Sequence, residues 1–343
     1  MNDSLKPVTN CPFNAETPLP ALAHPVTPIP LFYVRNHFDT PQIDGNRYQL
    51  QIEGAVAQPL VLTLDQIKAL PSKTSRTVME CAGNARIYMN PRPPGTPWNM
   101  GAISVADWTG TPLAEVLQRA GIGNEVVEVV FVGADGEVVE GKKMKYERSL
   151  PLNIALHSDT LLVWAMNGEP LTPHHGYPLR LFVPGWYGMA AVKWLEQIRL
   201  ITRPFEGYFQ TYHYVYWGDD YAPDGEPLQQ MQVRALIYTP VPNATIDGPV
   251  TIAGIVWTGT GAVMRVEIST EGEYWHEADL EPATTTYSMQ CWRYAWSPAQ
   301  PGRYTIRARA TDSRGHTQPL AQRSNQLGYG NNAVHAIQVH VRS

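Results

Sequence analysis

The sequence predicts an α+β chain that is rich in β-structure and divided into two domains. With 343 residues, the chain exceeds the size at which a single hydrophobic core stops growing. Its 30 Pro, 27 Gly, 17 Tyr and 10 Trp favour a loop-rich, β-rich fold over a helical bundle. Near residue 225 a polar segment containing Pro and Gly is typical of a linker. We therefore expect an extended arm over residues 1–30, a first domain over 31–225 and a second over 226–343.

The first domain should contain alternating strands and two short helices. YQLQIEGAV, from Tyr48, alternates apolar and polar residues, as a half-buried strand does. Thr63 is a plausible N-cap for a helix in LTLDQIKALP, and TPLAEVLQRAG predicts a second helix that ends at Gly121. Further strands are predicted at 75–80, 126–136, 160–171 and 177–185, with an irregular Pro- and Gly-rich loop over 86–102.

The second domain should be a β-sandwich. Six apolar runs with turn signals between them begin near residues 233, 248, 264, 291, 302 and 333. Roughly seven short strands at this spacing over about a hundred residues predict an immunoglobulin-like sandwich. Cys291 falls within one of these runs and has no partner cysteine there, so we expect it to be inert core.

Composition excludes several classes of protein. The net charge is −5 and the sequence has no run of lysine or arginine, so neither nucleic acid nor an anionic membrane surface is an expected partner. No apolar run has the length of a membrane span. The three cysteines are too few and too scattered for a disulfide framework. Without a visible signal peptide, the default expectation is a cytoplasmic protein, or a periplasmic one if the sequence is a mature form.

Cys81 is the first candidate for chemistry. It follows a predicted strand and precedes the small residues Ala82 and Gly83, which allow a ligand to approach the backbone closely. Arg86 lies five residues further on, and a nearby cation favours the thiolate that binds metal or attacks carbon. A buried structural cysteine remains an equal alternative on these local features.

Two other polar clusters suit an anionic ligand. The segment 33–38, YVRNHF, places one Arg, one Asn and one His within three positions, and HHGYPLR at 174–180 is followed by Lys193. Read singly, each cluster also fits a solvated surface loop. Adjacent histidines such as His174 and His175 rarely bind one ion together, because they point in different directions on an extended chain. No dinucleotide, P-loop, zinc-protease, serine-hydrolase or C-x-x-C motif occurs.

The clusters occur together in the order seen in one family. The motifs are YVRNH at 33–37, ECAGNAR at 80–86, PW at 97–98, GAIS at 101–104, WTG at 108–110, MNGEPL at 166–171, HGYPLR at 175–180 and VKWL at 192–195. From about residue 30 to its end the chain resembles the sulfite oxidase family of molybdopterin enzymes. Several motifs in the same order are far more specific than any one of them.

The resemblance implies a cofactor and residue roles. Cys81 would be the one protein thiolate on molybdenum, next to the two sulfurs of the molybdopterin itself. The positions that match those binding the pterin and its phosphate are Tyr33, Arg35, Asn36, His37, Asp135, His175, Arg180, Ala191, Val192 and Lys193. The positions that match the catalytic substrate pocket are Arg35, Arg86, Trp98 and Tyr214, beside Cys81.

The resemblance also implies a reaction and partners. The expected reaction is oxidation of sulfite to sulfate by oxygen-atom transfer, with electrons passed to an external acceptor such as a c-type cytochrome. Neither haem nor flavin is expected in this chain, and the second domain would form a homodimer. A non-catalytic binding protein is the rival from another class.

Three departures from the family pattern leave the substrate open. Leu327 stands where sulfite oxidases carry a pocket arginine, Ala85 replaces the first of two arginines, and Tyr212 and His213 form an altered pair before Tyr214. One cation fewer should weaken the binding of a dianion. A nitrate reductase, a sulfane dehydrogenase or a sulfoxide reductase therefore remain alternatives.

Overall fold

The computed structural model describes residues 4–139 and 142–342, and the regular elements of its N-terminal part are mostly β-strands. In chain order the elements are β1 (Lys6–Asn10), β2 (Phe13–Glu16), β3 (Gln49–Gly54), β4 (Leu60–Thr63), α1 (Leu64–Lys68), β5 (Lys73–Glu80), β6 (Ile103–Pro112), α2 (Leu113–Ala120), β7 (Glu128–Val139), β8 (Lys142–Pro151), α3 (Leu152–Ala155), β9 (Leu161–Met166), β10 (Glu169–Pro170), β11 (Arg180–Phe182), β12 (Leu195–Ile201) and β13 (Val215–Tyr216).

Two five-stranded sheets form the body of this part. One has the strand order β4-β3-β12-β7-β8, and the other has the order β10-β9-β6-β5 with β11 paired to β9. Only the β12–β3 pair is parallel among the pairings of these two sheets in the described residues. A large apolar cluster packs around them, and it contains the buried faces of α1 and α2.

Both predicted helices are present. Thr63 caps α1, because its hydroxyl accepts the backbone N–H of Gln66 while the Gln66 side chain accepts that of Thr63. Helix α2 ends at Gly121, whose φ of 72° favours glycine. The sequence analysis missed α3 and a π-helical turn over Phe209–His213. Each is at most five residues long, so neither shows a helical period in the sequence.

The first thirty residues are more structured than the predicted extended arm. Strands β1 and β2 form an antiparallel hairpin, and Ala15 in β2 pairs with Val34 through two backbone hydrogen bonds of 2.9 and 3.0 Å. The hairpin is short and polar on its outer side, which explains why it shows no clear alternation. It attaches the start of the chain to the segment 33–37.

The C-terminal part contains only strands in the described residues. These are β14 (Glu226–Pro227), β15 (Arg234–Thr239), β16 (Thr245–Ile246), β17 (Val250–Trp257), β18 (Val263–Glu271), β19 (Tyr274–Glu277), β20 (Asp279–Leu280), β21 (Gln290–Trp296), β22 (Gly302–Asp312) and β23 (His335–Val341). A four-stranded sheet has the order β15-β17-β21-β20, and a five-stranded sheet has the order β16-β23-β22-β18-β19. Their apolar residues share a second core cluster.

The chain as described is thus β-rich with a few short helices, which agrees with the predicted mixed class. Cys291 lies in β21 and is half-buried beside the first core cluster. No helix in residues 4–139 and 142–342 has the length and apolarity needed to cross a bilayer.

A buried polar network joins the two parts beside the start of the Cys81 loop. The Glu80 carboxylate accepts hydrogen bonds from Arg234 Nη1 at 2.8 Å, from Trp257 Nε1 at 2.9 Å and from Asn84 Nδ2 at 3.0 Å. Glu80 and Arg234 are each only 2% exposed. Both charges therefore have partners, as buried charges must. Arg234 and Trp257 belong to β15 and β17, so this network ties the C-terminal sheet to the end of β5.

Candidate active site

A cavity lies among the polar clusters that the sequence predicts as binding residues. Most of its walls come from the segments that follow the β1–β2 hairpin, β5, β10 and β11, and Asp135 of β7 completes them. The lining residues are Phe32, Tyr33, Arg35, Asn36, His37, Met79, Cys81, Ala82, Asp135, Tyr146, His174, His175, Arg180, Gly188, Met189, Ala191, Lys193 and Tyr214.

Cys81 lies in the cavity wall directly after β5. Its backbone N–H donates to the carbonyl of Ala102 at 2.9 Å, and its own carbonyl accepts from Asn84 at 2.9 Å. Burial raises the pKa of the Cys81 thiol, and the charges of Arg35 and Arg86 offset this only in part. Arg86 does lower the pKa of the Cys81 thiol, as expected from the sequence, but burial raises that pKa by more. A coordinating metal ion deprotonates such a thiol outright.

One end of the cavity carries cations held by backbone carbonyls. Arg180 is 4% exposed and donates to the carbonyls of His175 at 2.9 Å and Ala191 at 3.1 Å. Its Nε has no hydrogen-bond partner among the described residues. Lys193 donates to the side chain of Asn36 and to the carbonyl of His174 at 2.9 Å. Burial lowers the pKa of Lys193. Cations so arranged fit an anionic group such as a phosphate.

The two adjacent histidines diverge, as the sequence analysis expected. His174 is exposed, and its Nδ1 lies 3.1 Å from the Thr40 hydroxyl. His175 is buried, with its Nδ1 2.7 Å from the Thr172 hydroxyl. Burial, with help from Lys193, lowers the pKa of His175 to about 3, so this ring is neutral in ordinary buffers.

Asp135 places one carboxylate in the same cavity. It is 5% exposed, and burial raises its pKa although Lys193 opposes that rise. Its Oδ1 has no hydrogen-bond partner among the described residues. A buried carboxyl oxygen without a donor is costly, so this atom is suited to a ligand N–H group.

The other end of the cavity is aromatic and cationic. The Tyr214 hydroxyl and His37 Nε2 share a hydrogen bond of 2.6 Å. The rings of His37 and Tyr146 are stacked with centroids 5.2 Å apart. Arg35 donates to the carbonyl of Asn36 and lies 3.1 Å from His37. Burial lowers the pKa of His37, and Arg35 lowers it further, so this ring is neutral too.

Arg86 lies just outside the lining, under the Cys81 loop. It is 6% exposed and donates to the carbonyls of Thr96 at 2.9 Å and Gly328 at 3.2 Å. Its guanidinium lies against Gly83, where an added Cβ would come within 2.6 Å of Nη2. A side chain at position 83 would therefore displace the Arg86 guanidinium. The guanidinium also lies 5.1 Å from the centre of the Tyr329 ring.

Trp98 and Val192 are both fully buried and do not line the cavity. Trp98 belongs to the apolar cluster that contains Cys81 and Tyr33, and its indole N–H has no partner among the described residues. Val192 belongs to the main core, with its N–H bonded to Ala190 and its carbonyl to Leu181. The geometry thus leaves Val192 no free group for a ligand. The other predicted residues, Arg86 excepted, face the cavity.

Several residues near the site were missed from the sequence. Tyr146 lines the cavity and, with Arg148, lies on one face of β8, where alternate residues share a side. Tyr329 stacks near Tyr214 with ring centroids 5.2 Å apart, and its hydroxyl lies 2.9 Å from His213 Nδ1. The sequence could have indicated Arg148, because it alternates with Tyr146 as residues on one face of a strand do. No pattern in the sequence indicates Tyr329, because it lies far along the chain from the other site residues.

The C-terminal part reaches the site through the segment that includes Tyr329. The N–H of Gly330 donates to the carbonyl of Ala82 at 2.8 Å, and the Asn331 side chain donates to that of Ala85 at 3.0 Å. Leu327 is half-buried and packs against the main core. The loop after Cys81 is therefore held from both parts of the chain.

These donors fit a pterin-borne metal better than a metal held by protein alone. No group of three His, Cys, Asp or Glu in the described residues could hold an ion. A metal at Cys81 must therefore bring its remaining ligands with it. The unpaired Nε of Arg180 and Oδ1 of Asp135 offer one donor and one acceptor to such a cofactor.

Comparisons with known proteins agree with this reading of the cavity. Residues 37–209 match the family described as oxidoreductase molybdopterin binding domain, so molybdopterin is the cofactor of this chain. Residues 226–342 match the family described as Mo-co oxidoreductase dimerisation domain.

Individual relatives are enzymes acting on sulfur or nitrogen compounds. The mitochondrial sulfite oxidase of Drosophila melanogaster is 36% identical over 98% of this chain and 63% of its own length. The nitrate reductase of Hordeum vulgare is 32% identical over 96% of this chain and 41% of its own. The sulfane dehydrogenase SoxCD of Paracoccus pantotrophus superimposes with a TM-score of 0.85 at 27% identity, over 97% of this chain and 87% of that chain.

The chain spans less than two thirds of the length of the curated relatives it matches, for example 63% of the fly enzyme. What it shares with them is the stretch that contains the cavity and the C-terminal sheets. The chain belongs to the sulfite oxidase family of molybdopterin oxidoreductases.

Proposed function

We propose that this chain oxidises sulfite to sulfate and passes the electrons to an external acceptor such as a c-type cytochrome. The observation that carries this proposal is the cluster of Arg35, Arg86 and Tyr214 beside the Cys81 thiol. Such a cluster attracts a small oxyanion to the point where a metal on Cys81 would lie.

One set of residues would hold the cofactor. Cys81 would ligate the metal, Arg180 and Lys193 would bind the phosphate, and Asp135 would accept a pterin N–H. The full proposed set is Tyr33, Arg35, Asn36, His37, Cys81, Asp135, His175, Arg180, Ala191 and Lys193, with Val192 contributing only packing. Its support is that every member except Val192 lines the one cavity.

Another set would hold the substrate. Arg35 and Arg86 would neutralise its charge. The Tyr214 hydroxyl would donate to one of its oxygens, while the Nε2–H of His37 donates to the Tyr214 oxygen. Trp98 would act indirectly, because it packs in the buried apolar cluster that contains Cys81 and Tyr33. These groups are preorganised by backbone carbonyls, so they need little rearrangement when charge develops.

When bound, the cofactor supplies oxygen-atom transfer and a store for two electrons. In the overall reaction, sulfite and water yield sulfate, two protons and two electrons. The protein's task is to orient the sulfur of the anion towards the metal and to keep its oxygens on Arg35, Arg86 and Tyr214. Neutral His37 would hold the Tyr214 hydroxyl in place through their hydrogen bond, because burial and Arg35 lower the His37 pKa.

The C-terminal part is proposed as an immunoglobulin-like sandwich that forms a homodimer. Two sheets sharing one apolar core support the first statement, and the match to a dimerisation domain from residue 226 supports the second. That residue also supports our proposed boundary between domains at 225, with an arm over 1–30 before the first. Light scattering at micromolar concentration tests the dimer.

The decisive experiment combines metal analysis with a substrate panel. Protein from a host supplied with molybdate should contain about one molybdenum per chain and should reduce cytochrome c only when sulfite is added. Thiosulfate and nitrate serve as the alternative substrates, because relatives are named as a sulfane dehydrogenase and a nitrate reductase. A sulfoxide completes the panel.

Each contrary result has a clear meaning. Molybdenum-replete protein that turns over nitrate or thiosulfate but not sulfite would replace the substrate and keep the enzyme class. Well-folded protein without molybdenum or pterin from such a host would instead favour the non-catalytic binding protein.

A further inference from the structure

Arg148 is a buried cation that the proposed chemistry does not use. It lies in β8 and is 1% exposed. Its Nη1 donates to the carbonyl of Phe209, and its Nε has no partner among the described residues. No carboxylate in that part of the chain comes within ion-pair distance of it. Because an uncompensated buried charge is costly, this arginine needs an explanation.

The surroundings of Arg148 place its charge behind the substrate end of the cavity. Its guanidinium carbon lies 5.5 Å from the centre of the Tyr214 ring. Tyr146, two residues earlier on the same face of β8, lines the cavity together with Tyr214. Burial lowers the pKa of Arg148, and the neighbouring Tyr146, Tyr214, Tyr329 and Glu128 oppose this. An arginine nonetheless keeps its charge in neutral solution.

Strand β8 also fixes the turn that carries Tyr214. Arg148 bonds to the carbonyl of Phe209 at the start of the π-helical turn, and the N–H of Ser149 donates to the Gln210 side chain at 3.3 Å. Tyr214 follows directly after this turn. π-Helical turns are frequent at functional sites because they aim a side chain that a regular helix would not.

Three guanidinium groups therefore surround Tyr214 without a carboxylate partner among the described residues. Arg35 and Arg86 bond to carbonyl oxygens, and so does Arg148. All three influence the Tyr214 or Tyr329 hydroxyl groups electrostatically. This excess of positive charge favours an anion in the pocket, and it favours a doubly charged anion most.

We propose that Arg148 is a positioning residue that sets the charge selectivity of the pocket. It holds Tyr214 in place through the π-helical turn and adds a fixed positive charge behind it, so that doubly charged oxyanions bind better than singly charged ones. The inference rests on the proposed function for the location of the substrate. A purely structural role, bracing the turn alone, would affect all anions alike.

The first test replaces the cation by a neutral side chain of similar length, Arg148→Met. Sulfate and chloride are used as competitive inhibitors of sulfite oxidation by the holoenzyme. We expect the inhibition constant of sulfate to rise about tenfold and that of chloride about threefold, because Coulomb energy scales with the charge of the ligand. The KM for sulfite should rise by about the same factor as the inhibition constant of sulfate, whereas kcat should change less. Equal changes for the two anions, or no change, would overturn the proposal.

The second test keeps the charge but makes it titratable, Arg148→Lys. Burial lowers the pKa of a lysine, so the variant should bind sulfate best at mildly acidic pH and lose affinity as the pH rises. The wild type should show no such loss. The groups facing Arg148 do not titrate in that range, since burial raises the pKa values of Tyr146, Tyr214 and Tyr329 and lowers that of His213 to about 4. This test remains decisive if the methionine variant does not fold, and identical pH profiles would contradict the inference.

The controls separate this inference from the proposed function. Arg309→Met removes a cation that pairs with Glu267 in the C-terminal part, and it should leave both inhibition constants unchanged. Sulfate-dependent thermal stabilisation of the holoenzyme gives a readout that needs no turnover. If the wild type binds sulfate but does not oxidise sulfite, the proposed substrate fails and the selectivity claim stands. If it oxidises sulfite and Arg148→Met changes nothing, only the selectivity claim fails.

Discussion

Arg234 at the junction of the two parts and Arg148 behind the cavity are both almost fully buried, yet they are neutralised differently. Arg234 forms an ion pair with Glu80 at 2.8 Å. Arg148 donates to a carbonyl and lies against an aromatic ring, with no carboxylate at ion-pair distance among the described residues. A buried cation that is paired with a carboxylate is already neutralised within the fold. A buried cation without a carboxylate keeps a positive charge that an anionic ligand can neutralise. We therefore interpret the junction as a structural site and propose the pocket as a binding site, although both adjoin the Cys81 loop.

The largest effect should come from Cys81, which lies between the two regions. Cys81→Ser removes the proposed metal ligand and should lower the sulfite-dependent rate by more than about 100-fold, since even partners one step from a metal are commonly worth 10–100-fold. Unfolding of the apoprotein should hardly change, because the substitution is small and leaves the Glu80–Arg234 pair intact. Steady-state kinetics and urea denaturation measure the two quantities.

Cys291→Ser is the matched control for this prediction. Cys291 is half-buried in β21 and does not face the cavity, so its substitution should preserve the rate. Full activity in Cys81→Ser would remove Cys81 from the role of essential ligand.

Breaking the junction should reduce stability by a large amount. Glu80→Gln leaves the buried Arg234 charged and unpaired, which should cost about 3–5 kcal/mol of unfolding free energy in urea. The double variant Glu80→Met with Arg234→Met should be more stable than Glu80→Gln, because apolar side chains of similar size carry no desolvation cost. A Glu80→Gln variant as stable as the wild type would show that the junction does not depend on the ion pair.

A surface pair provides the comparison for the junction. Glu267→Gln breaks the contact with Arg309, in which both side chains are partly exposed, at 15% and 27%. Exposed pairs contribute at most about 1 kcal/mol, so this variant should unfold almost like the wild type.

The difference between the regions also explains what the sequence could predict. Alternation and capping located β3, α1 and α2, because these elements bury one face and their signals are local. The ordered motifs located the cavity residues from Tyr33 to Lys193, and the structure brings nearly all of them together.

Contacts between residues far apart in the sequence could not be predicted from local sequence patterns. The pairing of Glu80 with Arg234 spans 154 positions, and the approach of Tyr329 to His213 spans 116. Neither pair shares a sequence period, because contacts between separate sheets depend on how the sheets pack. The thiol of Cys81 illustrates the same limit: its neighbour Arg86 was visible in the sequence, but the burial that raises its pKa was not.

The smallest predicted effect would make the pocket more like that of the sulfite oxidases it resembles. Leu327→Arg adds a cation from the C-terminal part, next to Gly328, whose carbonyl already accepts from Arg86. A partly exposed charge is worth about 1 kcal/mol, so the inhibition constant of sulfate should fall about fivefold. Leu320→Arg, at a 72% exposed position in the same part of the chain, is the control and should change nothing. If Leu327→Arg leaves sulfate binding unchanged while the protein stays folded, the three arginines around Tyr214 already satisfy the anion, and Leu327 is an apolar contact that the pocket does not need to replace.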